Sequence, residues 1–289
     1  MSLLPRQVAK IVEPQEVMEG AGVRLRRSIG TETLNYLDPF LLLDHFSSRD
    51  AADYEAGFPM HPHRGIETVT YLLTGEIHHR DTVGNSGSIR AGDLQWMSAG
   101  GGILHEEMPQ VRPEGIDGFQ LWVNLPAKLK MSRPRYLGLS ADQITETEVD
   151  GSTIRIIAGS VGAATGPVTG IAADPVYMDV LVPPDTEFRH QITRGHNAFA
   201  YVFRGRARFG GDVGGSGETV AQTRLVVLGD GDYVRVATSA EPVRFLLISG
   251  KPLLEPIARY GPFVMNTKQE IERALSDLRA GTFVWSEKS

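Results

Sequence analysis

The stretch FPMHPHRGIETVTYLLTG, residues 58–75, sets two histidines, His61 and His63, two positions apart at the head of an apolar run. The chain has 8 histidines in 289 residues, so a pair this close calls for a reason. Side chains alternate faces along an extended strand, so His61, His63 and Glu67 share one face if the strand is unbroken. A half-buried strand has no structural need for two inward imidazoles. One wall of a metal site does.

A second pair supports the metal reading. In AGGGILHEEMPQ, residues 99–110, His105 and Glu107 are again two apart, while Glu106 points the other way. Two such strands side by side in a barrel bring His61, His63, His105 and Glu107 around one point. Imidazole nitrogen and carboxylate oxygen bind divalent first-row metals at about 2.0–2.2 Å. A metal also accounts for a carboxylate inside a barrel, where an unpaired charge is costly. On these residues alone Glu67 is either a ligand, with or instead of Glu107, or an acceptor that orients a ligand histidine.

The rest of the chain reads as all-β. Short strand signals (TVTYLL, FQLWVNL, TIRIIAG, VYMDVLV, AFAYVF, TRLVVL, VRFLLISG) are separated by turns rich in the 32 glycines and 17 prolines. Regular short strands punctuated this way indicate a sandwich or barrel. One helix is expected near the end, in NTKQEIERALSDLRAG. Thr267 and Glu270 have capping-box spacing, Ile271, Leu275 and Leu278 form a stripe, and Gly281 can stop it. A faint repeat links YLLTG (71–75) with YVFRG (201–205), and AGDLQWM (91–97) with DGDYVRV (230–236). Two copies of one barrel fit the length. Carrying the offsets across sets Gln191, Thr193 and Asn197 opposite His61, His63 and Glu67, and Arg244 and Leu246 opposite His105 and Glu107. His190 and His196 have the wrong parity to substitute, so the second barrel is expected to hold no metal.

Composition narrows the functional classes. With 41% hydrophobic and 22% charged residues the chain can build an ordinary core. A formal charge of −6 argues against direct nucleic-acid binding. Arg24, Arg26 and Arg27 read as the solvated face of a strand. Without cysteine there are no disulfides, thiolate ligands or thiol nucleophile. No signal-peptide pattern or membrane-length apolar run is present, so a cytoplasmic protein with no membrane partner is expected. His45, Trp96 and Met97 read as packing residues. His78 and His79 face opposite ways, and a surface role is expected for them.

The two motifs resemble those of the cupins, Gly57 to Gly75 the first and Gly92 to His105 the second. Within the cupins, HPHRGIETVTYLLTGE, HRDTVGNSGSIRAGDLQWMSAGGGILHEE, DGFQLWVNLPAKLKM and GPFVMNTKQEI are similar to pirin segments over nearly the whole chain. The resemblance implies a bicupin, two tandem jelly-roll-like β-barrels with a C-terminal helix. We place the metal-binding barrel at residues 1–135, and the second barrel plus helix at 136–289. It further implies one metal, Fe(II), held by His61, His63, His105 and Glu107, with Glu67 not the main ligand. The residue types themselves also suit Zn, Mn, Ni or Cu.

Such a site keeps open positions, as non-haem iron oxygenases do. The resemblance therefore implies a dioxygenase of the quercetin 2,3-dioxygenase type, opening a flavonol or related aromatic ring, with Glu107 also taking the 3-hydroxyl proton. It equally admits a redox-sensitive regulator that binds a protein partner through the same metal. A cavity on the metal face deep enough for a flavonol separates the two.

Overall fold

The computed structural model describes residues 3–211 and 217–286; five residues of the glycine-rich stretch 210–218 lie outside them. Nearly all regular structure is antiparallel strand, as the short punctuated apolar runs require. Two compact units result.

The unit that carries both histidine pairs pairs a seven-stranded with a four-stranded sheet. The larger sheet runs, in spatial order, Arg135–Leu139, Leu94–Ser98, Ile66–Thr74, Ile116–Asn124, Phe40–Ser48, Val23–Ile29 and Gln15–Glu19. The smaller runs Phe58–His63, Ile103–Pro109, Glu76–Asp81 and Ser86–Arg90. Leu25, Phe46, Leu72, Ile77, Ile89 and Ile116 form a core between them. In the other unit a ten-stranded sheet encloses a larger core that includes Ile156, Val180, Phe188, Phe209, Phe245 and Leu247. The repeat is structural. YLLTG and YVFRG each lie in a central strand, and each Gly-Asp turn leads into a strand that pairs with that central one.

A division at 135/136 departs from the strand pairing at both ends. Val8–Val12 pairs with Arg224–Leu228, so the segment up to Pro14 belongs with residues 142–252. The segment from Leu253 on, including the helix, belongs with the histidine-bearing unit. Terminal pairings are non-local, and no signal within either segment encodes them.

The helix Lys268–Ala280 forms as its local code dictates. Thr267 Oγ1 accepts from Glu270 N at 3.2 Å, Glu270 Oε2 accepts from Thr267 N at 2.8 Å, and Gly281 closes the end in a left-handed conformation. Ile271 and Ala274 pack with Phe263, Met265 and Phe283. Arg64, the residue after His63, is buried; its guanidinium pairs with Asp277 at 2.7 Å and lies over the Phe283 ring. The helix thus braces the strand that bears the histidines.

Candidate metal centre

The first histidine pair lies on the strand Phe58–His63, which pairs with Ile103–Pro109 so that His61 stands opposite His105 and His63 opposite Ile103. Burial alternates along Ile103–Pro109, with His105 and Glu107 inside and Glu106 outside, ion-paired with Arg80. The alternation read from the sequence holds there.

It fails across residues 64–66. Gly65 has φ +79°, and a Cβ on it would stand 2.0 Å from the Val264 carbonyl oxygen. This glycine switches the chain from the four-stranded sheet into Ile66–Thr74 of the seven-stranded one. Glu67 therefore does not continue the histidine strand. It lies on the opposite face of its own strand from Thr70, which bonds Glu107, and so faces away from the site. Glu67 is fully buried, and burial raises its pKa to about 7 against the opposing pull of Trp96, Arg135 and Ser98.

His61, His63 and His105 converge, with one nitrogen of each within 4.8 Å of the others. Ring centroids are 4.4 Å apart for His61–His105, 4.8 Å for His61–His63 and 5.0 Å for His63–His105. His61 Nδ1–H donates to the Pro59 carbonyl at 2.9 Å, which fixes the tautomer and leaves Nε2 as a lone pair. That lone pair faces His63 Nε2 at 3.0 Å. Both nitrogens of buried His105 lack a hydrogen-bond partner. Every neutral imidazole tautomer carries an N–H, so a donor is orphaned there, and orphaned buried donors are rare. A metal at the convergence point takes the facing lone pairs, that of one His105 nitrogen included, so the donor set fits a divalent ion; the His105 N–H stays without an acceptor.

The electrostatics agree. Burial, then neighbouring imidazoles, lower the pKa of His61 and, more strongly, of His63. Burial brings His105 down to about 4. All three are neutral at pH 7, the form that ligates a metal. Glu107 is raised by burial, opposed by His61, Thr70 and His79. Thr70 Oγ1 lies 2.9 Å from Glu107 Oε1 and 2.6 Å from Gln120 Oε1. The hydroxyl has one proton, so it donates to only one of these oxygens; with the Gln120 amide turned so that its NH2 faces Oγ1, that proton goes to Glu107. The three imidazoles form the tight group; Glu107 lines the adjoining cavity with His61 and His63.

That cavity has a volume of about 460 Å³ and opens to solvent. Leu25, Phe46, Phe58 and Ile77 give it apolar walls, and the metal side is formed by His61, His63 and Glu107. Trp122 stands edge-on to His63 at 5.1 Å. The lining also carries the charged side chains Glu19, Arg27, Asp44 and Arg259.

Some of these residues depart from the sequence reading. Arg27 is not a solvated charge: its guanidinium forks onto both oxygens of Asp44 at 2.8 Å and reaches Glu19 at 2.7 Å. His79 is buried, opposite Glu107 on the neighbouring strand, and Tyr136 Oη lies 2.8 Å from its Nε2. The parity it shares with Ile77 was the available signal. His78 is exposed beside Glu76. His45 is buried against Phe119 and bonds Asp117, and Trp96 and Met97 are core, as expected. Thr70, Gln120, Trp122 and Arg259 carry no sequence signal that marks them as site residues.

Known proteins are similar to this chain along most of its length. Residues 22–123 match the family described as Pirin, and 177–284 match the Pirin C-terminal cupin domain. A pirin-like protein of Caulobacter vibrioides is 45% identical over 280 residues, covering 96% of this chain and 99% of its own. Human pirin is 41% identical over 278 residues, covering 95% and 92%. The crystal structure of a quercetin 2,3-dioxygenase from Acinetobacter baumannii superposes with a TM-score of 0.85 at 32% identity, covering 96% of this chain and 98% of that one. With its histidine triad, its two cupin units and these relatives along its length, the chain belongs to the pirin family.

Proposed function

We propose that this protein is an iron-dependent dioxygenase of the quercetin 2,3-dioxygenase type, opening a flavonol or a related hydroxylated aromatic ring. The observation that carries the reading is the cavity of about 460 Å³ on the metal face, within the range of small-molecule sites. A regulator that signals through surface charge has no need of a chamber beside its metal. The similarity to the quercetin 2,3-dioxygenase of Acinetobacter baumannii supports the substrate class.

His61, His63 and His105 would hold the ion, with Glu107 as the fourth ligand. When bound, iron supplies Lewis acidity and a redox couple toward dioxygen. The protein's own residues do the rest. Phe58 and Trp122 form walls along which a flat ring can lie, and the apolar lining excludes water. Glu107 Oε accepts the proton of the substrate hydroxyl. Burial strengthens it as a base, and Thr70 holds its orientation.

The test is dioxygen consumption with quercetin by iron-loaded protein, beside metal-free protein and a His61→Ala variant. The expected result is uptake that requires both iron and His61, with loss of flavonol absorbance. No uptake from protein shown to hold one iron per chain would refute the reading.

A further inference from the structure

Two arginines line the cavity, in opposite states. Arg27 is saturated by the Asp44 fork and by Glu19, and its pKa is raised. Arg259 lies on the short strand Ala258–Tyr260, exposed at the rim, with its guanidinium 5.1 Å from the Trp122 ring centroid. Its protein acceptors are two carbonyls at long range, Gly261 at 3.3 Å from Nε and Leu41 at 3.4 Å from Nη1. Among the described residues no carboxylate forms an ion pair with it. Partial desolvation, then the charge of Arg27, lower its pKa against Asp44 and Glu19. A guanidinium carries five N–H donors in a flat fork that matches a planar two-oxygen anion. Arg259 is therefore a cation stacked on Trp122, with unused donors, lining a chamber that also holds the metal ligands.

We propose that Arg259 selects an anionic substrate: an aromatic compound with a metal-liganding hydroxyl at one end and a carboxylate at the other. The inference rests on the aromatic-substrate reading above and sharpens it. The geometry bounds the size. Trp122 lies 5.1 Å from the His63 ring and 5.1 Å from Arg259 Cζ, so those two groups stand at most twice that distance, about 10 Å, apart, a span that one or two fused or linked rings cover. Replacing the carboxylate by an ester removes the charge and leaves the ring system unchanged, which isolates the contribution of Arg259.

The experiment titrates three probes into the iron-loaded protein without oxygen and follows the flavonol absorbance: 3-hydroxyflavone, its 4′-carboxylate and the methyl ester of that acid. The wild type is expected to bind the carboxylate about tenfold or more tighter than the ester, the size of a charge-assisted hydrogen-bonded contact. Arg259→Gln should bring the ratio close to one, and Arg259→Lys should leave an intermediate ratio, because a point charge lacks the fork. Equal affinities in the wild type, or a preference that survives in Arg259→Gln, overturn the inference while leaving the flavonol reading intact. If none of the probes binds the wild type, the flavonol reading fails and this inference falls with it.

Discussion

Lys130 offers the sharpest test of how the site is held. It is fully buried, and its ammonium donates to Asn124 Oδ1 at 2.7 Å, Val264 O at 2.8 Å and Gly65 O at 3.0 Å. One cation thus ties the glycine that follows the histidine strand to the segment leading into the C-terminal helix. Lys130→Met keeps most of the volume and removes the donor from three acceptors, of which Gly65 O still accepts from Leu125 N at 3.3 Å. Each buried unsatisfied group costs about 1–3 kcal/mol, so for the other two the gross loss is roughly 2–6 kcal/mol. Against this stands the strain of burying the charge, which brings the Lys130 pKa down to about 8. That shift corresponds to about 3 kcal/mol that the methionine recovers. Taking the recovered amount from the gross loss leaves a net destabilisation between about −1 and 3 kcal/mol. Urea denaturation of the metal-free protein, followed by tryptophan fluorescence, measures it. Trp96, Trp122 and Trp285 all lie in the histidine-bearing unit, so the signal reports that unit. A variant more stable than wild type by more than about 1 kcal/mol would refute the assignment of Lys130 as the tie, since its hydrogen bonds would then be worth less than the cost of burying its charge.

Other perturbations probe neighbouring parts of the same argument. Gly65→Ala places a Cβ against the Val264 carbonyl in a left-handed conformation, and should cost about 3 kcal/mol or more and lower metal content; a stable variant with full metal occupancy would contradict the strand-switch role. Glu67 binds a proton more tightly when folded than when unfolded, so stability should fall as pH rises from about 4.5 to about 7 and then level, by roughly 3 kcal/mol in all. Glu67→Gln should flatten that slope, as pH-dependent denaturation would show. Thr70→Val removes the hydroxyl that holds Glu107 and should weaken metal binding about tenfold, read by competition with a chelator. Glu107→Gln should keep the fold, seen by circular dichroism, and lower turnover; full dioxygen uptake would remove Glu107 from the proton-transfer role.

What the sequence disclosed was local. The capping box at Thr267 and Glu270 and the alternation through His105 and Glu107 depend on residues within one element, so spacing alone carries them. The three histidines were legible because two short period-two pairs, placed on adjacent antiparallel strands, must converge. The parity argument broke at Gly65, where a backbone conformation open to glycine ends one sheet and begins another. Lys130, Arg259 and the exchange of terminal segments were out of reach for a different reason. Each is defined by partners far along the chain, Val264 for Lys130, Trp122 for Arg259 and Leu228 for Val8, and nothing in the local pattern names those partners. His79 lies between these cases: its inward parity with Ile77 was readable, but the facing Glu107 and Tyr136 were not.

The central claim is that His61, His63 and His105, with Glu107, bind one metal ion. Its most direct test is metal content after reconstitution with Fe(II) and removal of excess, in the wild type, His63→Ala, His105→Ala and the control His190→Ala. The account predicts one ion per chain in the wild type and the control, and loss of the ion in both site variants, with all four folded by circular dichroism. A wild type that holds no metal, or site variants that hold as much as the wild type, would contradict it.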